Sequence, residues 1–142
     1  MDVADEIAYG VHDFEDGIAL HFITRDDWQS VGPKYDSVWA ASVSLPTFDQ
    51  LGSQLFAVGA DQGAVRKRAI GALVNALISS VRLVELPDFV EPVLRLRAVF
   101  DGPGKELQKA LQDLNFSRTI DRPSVQTLEY RGQFNLLTLF RA

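Results

Sequence analysis

The chain has 142 residues, 46% hydrophobic and 23% charged, which suits one globular domain or part of one with enough chain to bury a core. A net charge of −5 argues against a broad electrostatic footprint for duplex nucleic acid, although Arg66, Lys67 and Arg68 form a local basic cluster. The lack of cysteine excludes disulfides and thiolate metal sites. No apolar run approaches the ~18 residues of a membrane span, and the N-terminus lacks a signal-peptide pattern, so a cytoplasmic location is expected.

The first helix is predicted over residues 2–22. Val3, Ile7, Val11, Phe14, Ile18 and Phe22 recur at steps of three and four, which makes one buried face. Gly10 and Gly17 each weaken a helix by about 1 kcal/mol relative to Ala, so their presence suggests close approach by a neighbour or a ligand. Thr24 is placed to cap a short helix with Asp26 and Asp27 in its first turn. Gly32-Pro33 reads as a break, and "SVWAASVSL" after it as a short helix or strand, with helix favoured. Thr47 then caps a helix over 48–58, and 59–63 form a turn.

A helix from Asp61 or Gln62 to Val81 carries Val65, Ala69, Ala72, Leu73, Ala76 and Leu77, with Ile70 and Val74 widening the stripe, so it is expected to be largely buried. The period then changes. "VRLVEL" and "VLRLRAVF" alternate around "PDFVEP", which predicts a hairpin with a long loop over residues 81–100. Residues 105–116 are amphipathic through Leu107, Leu111 and Leu114; "DRPSV" punctuates, and a last helix starts near Ser124. The expected fold is mainly α-helical with one small β-hairpin, a single partial domain over 1–142.

Chemistry concentrates in "DVADEIAYGVHDFED". At about 100° per residue, Asp5, Tyr9, His12, Asp13 and Asp16 fall in one band beside the apolar stripe. Carboxylates can serve a hard divalent cation or a sugar hydroxyl, and a phenol can stack or donate. Spacing alone favours a solvated face, because charge runs usually are one and acids in a first turn complement the helix dipole. Against that, the band has no Lys or Arg at the i+4 positions to relieve repulsion. If buried, it would need a cation or hydrogen-bond donors.

The stretch "ADEIAYGVHDFEDGIAL" resembles the signature AD-D/E-IAY-x-x-HD-L-ED-A/G-I of bacterial dGTPase-like deoxynucleoside triphosphate triphosphohydrolases, of the HD-domain superfamily. "RKRAIGALVNALISSV" and "VQTLEYRGQFNLLTLF" resemble later helices of that family in the same order, so the resemblance covers nearly the whole chain. It implies that Asp5 matches the last aspartate of a divalent-metal site of Mg or Mn type. It implies that Tyr9 lies against deoxyribose and phosphates, and Asp13 near the sugar 3′-hydroxyl. Glu6 stands where the family usually has aspartate. His12-Asp13 spells "HD" but follows the last metal aspartate on the same helix, so it does not match the superfamily's metal pair.

The family's first histidine, its His-Asp metal pair and its catalytic histidine-acid pair precede this motif, whereas this chain begins at it and has only His21 besides His12. The resemblance thus implies a middle-to-late segment of a longer enzyme, with no catalytic residue assigned in this chain. The family reaction is attack of water on the α-phosphorus of a dNTP, dGTP-like, releasing deoxynucleoside and triphosphate. The chain alone is expected to be inactive, since one aspartate does not hold a divalent cation. Expected partners are the dNTP and either further copies of the chain or an N-terminal segment, but neither a membrane nor nucleic acid. Arg66 is a candidate for substrate phosphate. Tyr130 either faces the nucleotide or packs in the core with its hydroxyl at the edge. Trp28 and Trp39 read as packing anchors. The alternative reading is a non-catalytic helical remnant or subunit-assembly module, because exposed apolar surface favours association.

Overall fold

A computed structural model describes residues 2–39, 45–92 and 94–141. Among them the chain is mainly helical with one two-stranded antiparallel sheet, as the periodicities predict.

Helix α1 (Asp2–Ala19) buries Ile7, Val11, Phe14 and Ile18. It stops three residues before the predicted end. His21 adopts a left-handed conformation (φ 58°), and the Phe22 and His21 amides donate to the Gly17 and Ile18 carbonyls at 2.8 and 3.1 Å. That pair of bonds is a Schellman closure, which satisfies the last carbonyls and turns the chain. Helix α2 (Arg25–Gln29) starts from a capping box in which Thr24 and Asp27 satisfy each other's backbone amides. Gly32-Pro33 opens helix α3 (Gly32–Trp39) instead of breaking the chain, because a proline in the first helical turn has no amide to lose. The rest of "SVWAASVSL" up to residue 44, and the Trp39 side chain, lie outside the described residues.

Helix α4 (Phe48–Leu55) has a second capping box, between Thr47 and Gln50, and ends short of the predicted residue 58. Helix α5 (Gln62–Ser79) buries Ala69, Ile70, Leu73, Ala76 and Leu77 but leaves Lys67, Arg68, Gly71 and Ile78 exposed. It is therefore half buried, not largely so; the wide apolar stripe includes residues that reach solvent. Strands β1 (Val81–Glu85) and β2 (Leu96–Phe100) pair with Val81 opposite Phe100 and Glu85 opposite Leu96, around the long predicted loop.

Helix α6 (Gly102–Asn115) begins earlier than predicted because the Asp101 carboxylate accepts the Gly102 amide at 2.8 Å and Pro103 fits the first turn. Leu107, Leu111 and Leu114 are buried as expected. A π-helical turn, Phe116–Ile120, then continues it, closed by Asp121 N–H to Phe116 O at 2.9 Å. Helix α7 (Pro123–Arg141) follows, and none of its described side chains is buried.

The core is centred on Trp28, which stacks on Phe48 at 4.9 Å between centroids and meets Phe14 at 5.6 Å. Gly52 makes room for it: a Cβ there would come within 2.9 Å of the indole nitrogen. Trp28 is thus the packing anchor expected. Helices α1, α5 and α6 pack around the same cluster, so α6 lies directly against the flank of α1 that carries Asp13.

Candidate functional site

Two amide side chains on α6 hold α1. Gln108 Nε2 donates to the Glu6 carbonyl, and Asn115 Nδ2 donates to the Gly10 carbonyl at 2.8 Å. Both residues are buried, 3% and 2% exposed. Gly10 permits the approach, since a Cβ there would sit 2.5 Å from Gln108 Nε2; at Gly17 a Cβ would sit 2.6 Å from Ile23 Cδ1 and 2.9 Å from Thr119 Oγ1. Both glycines of α1 are therefore explained by neighbouring side chains.

Beside this contact a groove of about 450 Å³ opens, lined by Tyr9 and Asp13 of α1 together with Asn115, Phe116 and Ile120. Tyr9 is 69% exposed and presents its ring to solvent at the rim. Asp13 is half buried. Burial above all, and then the neighbouring Asp16 charge, raise its carboxyl pKa above the ordinary 3.8, with His12 partly opposing them. The Oδ1 atom of Asn115 is buried without a hydrogen-bond partner among the described residues. The groove thus combines an aromatic face, an acceptor carboxylate and an amide, a set suited to a ring with hydroxyl donors.

The acidic band as a whole is not buried. Asp5, His12 and Asp16 are exposed, so the repulsion is relieved by water. Asp5 stands one turn before Tyr9 on the same band but does not line the groove. Among the described residues no three His, Asp or Glu side chains come together as a cation site. Asp5 therefore supplies one donor and does not by itself fit a divalent cation.

Arg66 lies elsewhere. It is half buried, donates through Nε to the Leu55 carbonyl at 3.3 Å, and lines a separate groove of about 340 Å³ with Ile18, His21 and Phe56. Tyr130 is 71% exposed on α7 and does not line the Tyr9–Asp13 groove, so it is not the core-packed tyrosine that was one of its two readings. Sequence reasoning missed Asn115 and Gln108. Their signal was present: two amides seven residues apart, each following a buried leucine of α6.

The fold and groove define a mainly helical protein with a candidate ligand site between its first helix and α6. No protein-family model matches the chain. Along its whole length it is similar to deoxyguanosinetriphosphate triphosphohydrolase-like proteins of Shewanella loihica (36% identity over 146 residues, 32% of that protein), Shewanella sediminis (36% over 143, 31%) and Shewanella oneidensis (34% over 143, 32%). The chain is thus a homologue of these dGTPase-like proteins, and it spans about a third of the length of the curated relatives it matches. No helix among the described residues is long and apolar enough to cross a membrane.

Proposed function

We propose that this chain forms one wall of the deoxynucleotide site of a dGTPase-like triphosphohydrolase, of the HD-domain superfamily. The observation that carries the reading is the groove that places Tyr9 and Asp13 together over Asn115, at the two motif positions assigned to the sugar and phosphates. Similarity along the whole of this chain to about a third of the length of proteins named for triphosphohydrolysis supports it. Tyr9 would lie against the deoxyribose, Asp13 would accept a sugar hydroxyl, and Asp5 would be one donor to a Mg- or Mn-type cation in a complete site. The reaction proposed is hydrolysis of a dNTP to deoxynucleoside and triphosphate in the cytoplasm. Because one exposed carboxylate does not make a cation site, this chain's residues carry binding roles, and the hydrolytic step is assigned to none of them.

The test has two arms. The purified chain with Mn²⁺ and dGTP should release no triphosphate, and release would overturn the assignment of binding roles alone. Coexpression with a segment bearing the family's histidine and His-Asp motifs should give metal-dependent release that Asp5→Asn abolishes. Unchanged activity in that variant would remove Asp5 from the site.

A second reading, a subunit-assembly module, is favoured by α7. Leu128, Phe134, Leu137 and Phe140 are all exposed on a helix with no buried residue, a surface that association would cover.

A further inference from the structure

A groove larger than the Tyr9–Asp13 one lies elsewhere on the described residues. A trough of about 550 Å³ runs between the start of α1, strand β2 and α6. Arg97 enters it from β2, and Lys105 and Lys109, one turn apart on the same face of α6, enter from the other side. None of the three forms an ion pair with a carboxylate among the described residues. The acids beside them in sequence are already engaged: Asp101 pairs with Arg82, and Glu106 pairs with Lys34 at 3.3 Å. Glu6 and Asp113 also line the trough, leaving three cations against two carboxylates in a chain whose net charge is −5. A local positive excess inside a concavity of a negative protein concentrates anions there.

We propose that this trough is a second ligand site, for an oligophosphate group, with Arg97, Lys105 and Lys109 as its anion-binding residues. Three cations drawn from a strand and a helix line one trough, more positive groups than a single small anion needs, which favours a chain of phosphates. The site goes beyond the Tyr9–Asp13 reading and stands without it, because it shares none of Asp5, Tyr9 or Asp13.

Inorganic triphosphate is titrated into the whole chain and followed by amide NMR shifts, with ATP and adenosine as parallel arms. Saturable binding of triphosphate is expected, centred on 97–109, and about tenfold weaker in the K105Q/K109Q double variant. Lys67→Gln, a basic residue on α5 outside the trough, should leave it unchanged. Tighter binding of ATP than of triphosphate would identify a nucleotide as the source of the phosphates, and equal binding a free oligophosphate. Lysine acylation of the unaltered chain, read by mass spectrometry, should show Lys105 and Lys109 protected by triphosphate, which keeps the test open if the double variant misfolds. Unsaturable binding, an equal loss in Lys67→Gln, or unprotected Lys105 and Lys109 would overturn the proposal.

Discussion

The Asn115 side chain donates through Nδ2 to the Gly10 carbonyl oxygen at 2.8 Å, which pins the end of α6 to α1 one residue past Tyr9. Gln108 does the same at Glu6. The candidate groove is therefore built beside a contact between amide side chains of α6 and the backbone of α1, where glycine at position 10 makes room for Gln108.

Gly10→Ala tests that contact. A Cβ would stand 2.5 and 2.9 Å from the Gln108 amide atoms, so the amide must move and give up its bond to Glu6. The loss, about 1–3 kcal/mol, exceeds the helix-propensity gain of about 1 kcal/mol. Urea denaturation should show net destabilisation, and in a Gln108→Ala background the same substitution should be neutral or stabilising. A stabilised Gly10→Ala single variant would contradict the close packing.

Asp13 should make stability depend on pH in the direction opposite to most carboxylates. Its folded pKa is raised, chiefly by burial and then by Asp16, so the folded state binds the proton more tightly than the unfolded chain. Its contribution therefore declines as pH rises from the ordinary 3.8 through the folded value, and above that window the charged group costs stability. Asp13→Asn should be more stable than the parent at pH 7, with the gain vanishing below pH 3.8. The same variant should weaken deoxynucleoside binding. A gain that persisted in strong acid would point to packing in place of charge.

Asp27 behaves the other way. Burial raises its pKa, but the Thr24 backbone and hydroxyl donors and Arg118 outweigh that, and the net shift is downward. It contributes stability above pH 3.8 that is lost as pH falls through its folded value. Arg118 Nη2 lies 2.7 Å from Asp27 Oδ1 and ties the π turn to α2, yet the arginine is 54% exposed. A double-mutant cycle on Asp27→Asn and Arg118→Ala should give a coupling of only about 0.5 kcal/mol, while Thr24→Ala costs about 1 kcal/mol through the cap. A coupling larger than the cap would reverse that ranking.

Helix α7 should be energetically idle in the isolated chain. Phe140 is 88% exposed, so Phe140→Ser should change stability by no more than about 0.5 kcal/mol, against about 2–5 kcal/mol for Leu111→Ala in the core. Measured in the same series, a concentration-dependent melting temperature that Phe140→Ser removes would show that copies of the chain associate through α7.

Much of this was legible in the residues. Apolar spacing marks α1, α5 and α6, alternation marks the hairpin, and Thr24 and Thr47 mark their caps, because helix, strand and cap are set by contacts within a few residues. The motif at Asp5, Tyr9 and Asp13 could be read as one band for the same reason. The Schellman closure at His21 and the π turn at Phe116 were not legible, since each replaces one hydrogen-bond offset by another without changing the apolar period.

What the linear chain determined is thus the set of elements and the face on which the chemistry sits. Only the tertiary structure decided that Asp13 and Tyr9 share a groove while Asp5 faces open solvent, that Arg66 serves a different groove, and that Asn115 and Gln108 fasten the wall. Which side of a helix band meets a neighbour depends on residues about a hundred positions away. No local period records that distance, because burial and amide pairing are settled when α6 packs on α1.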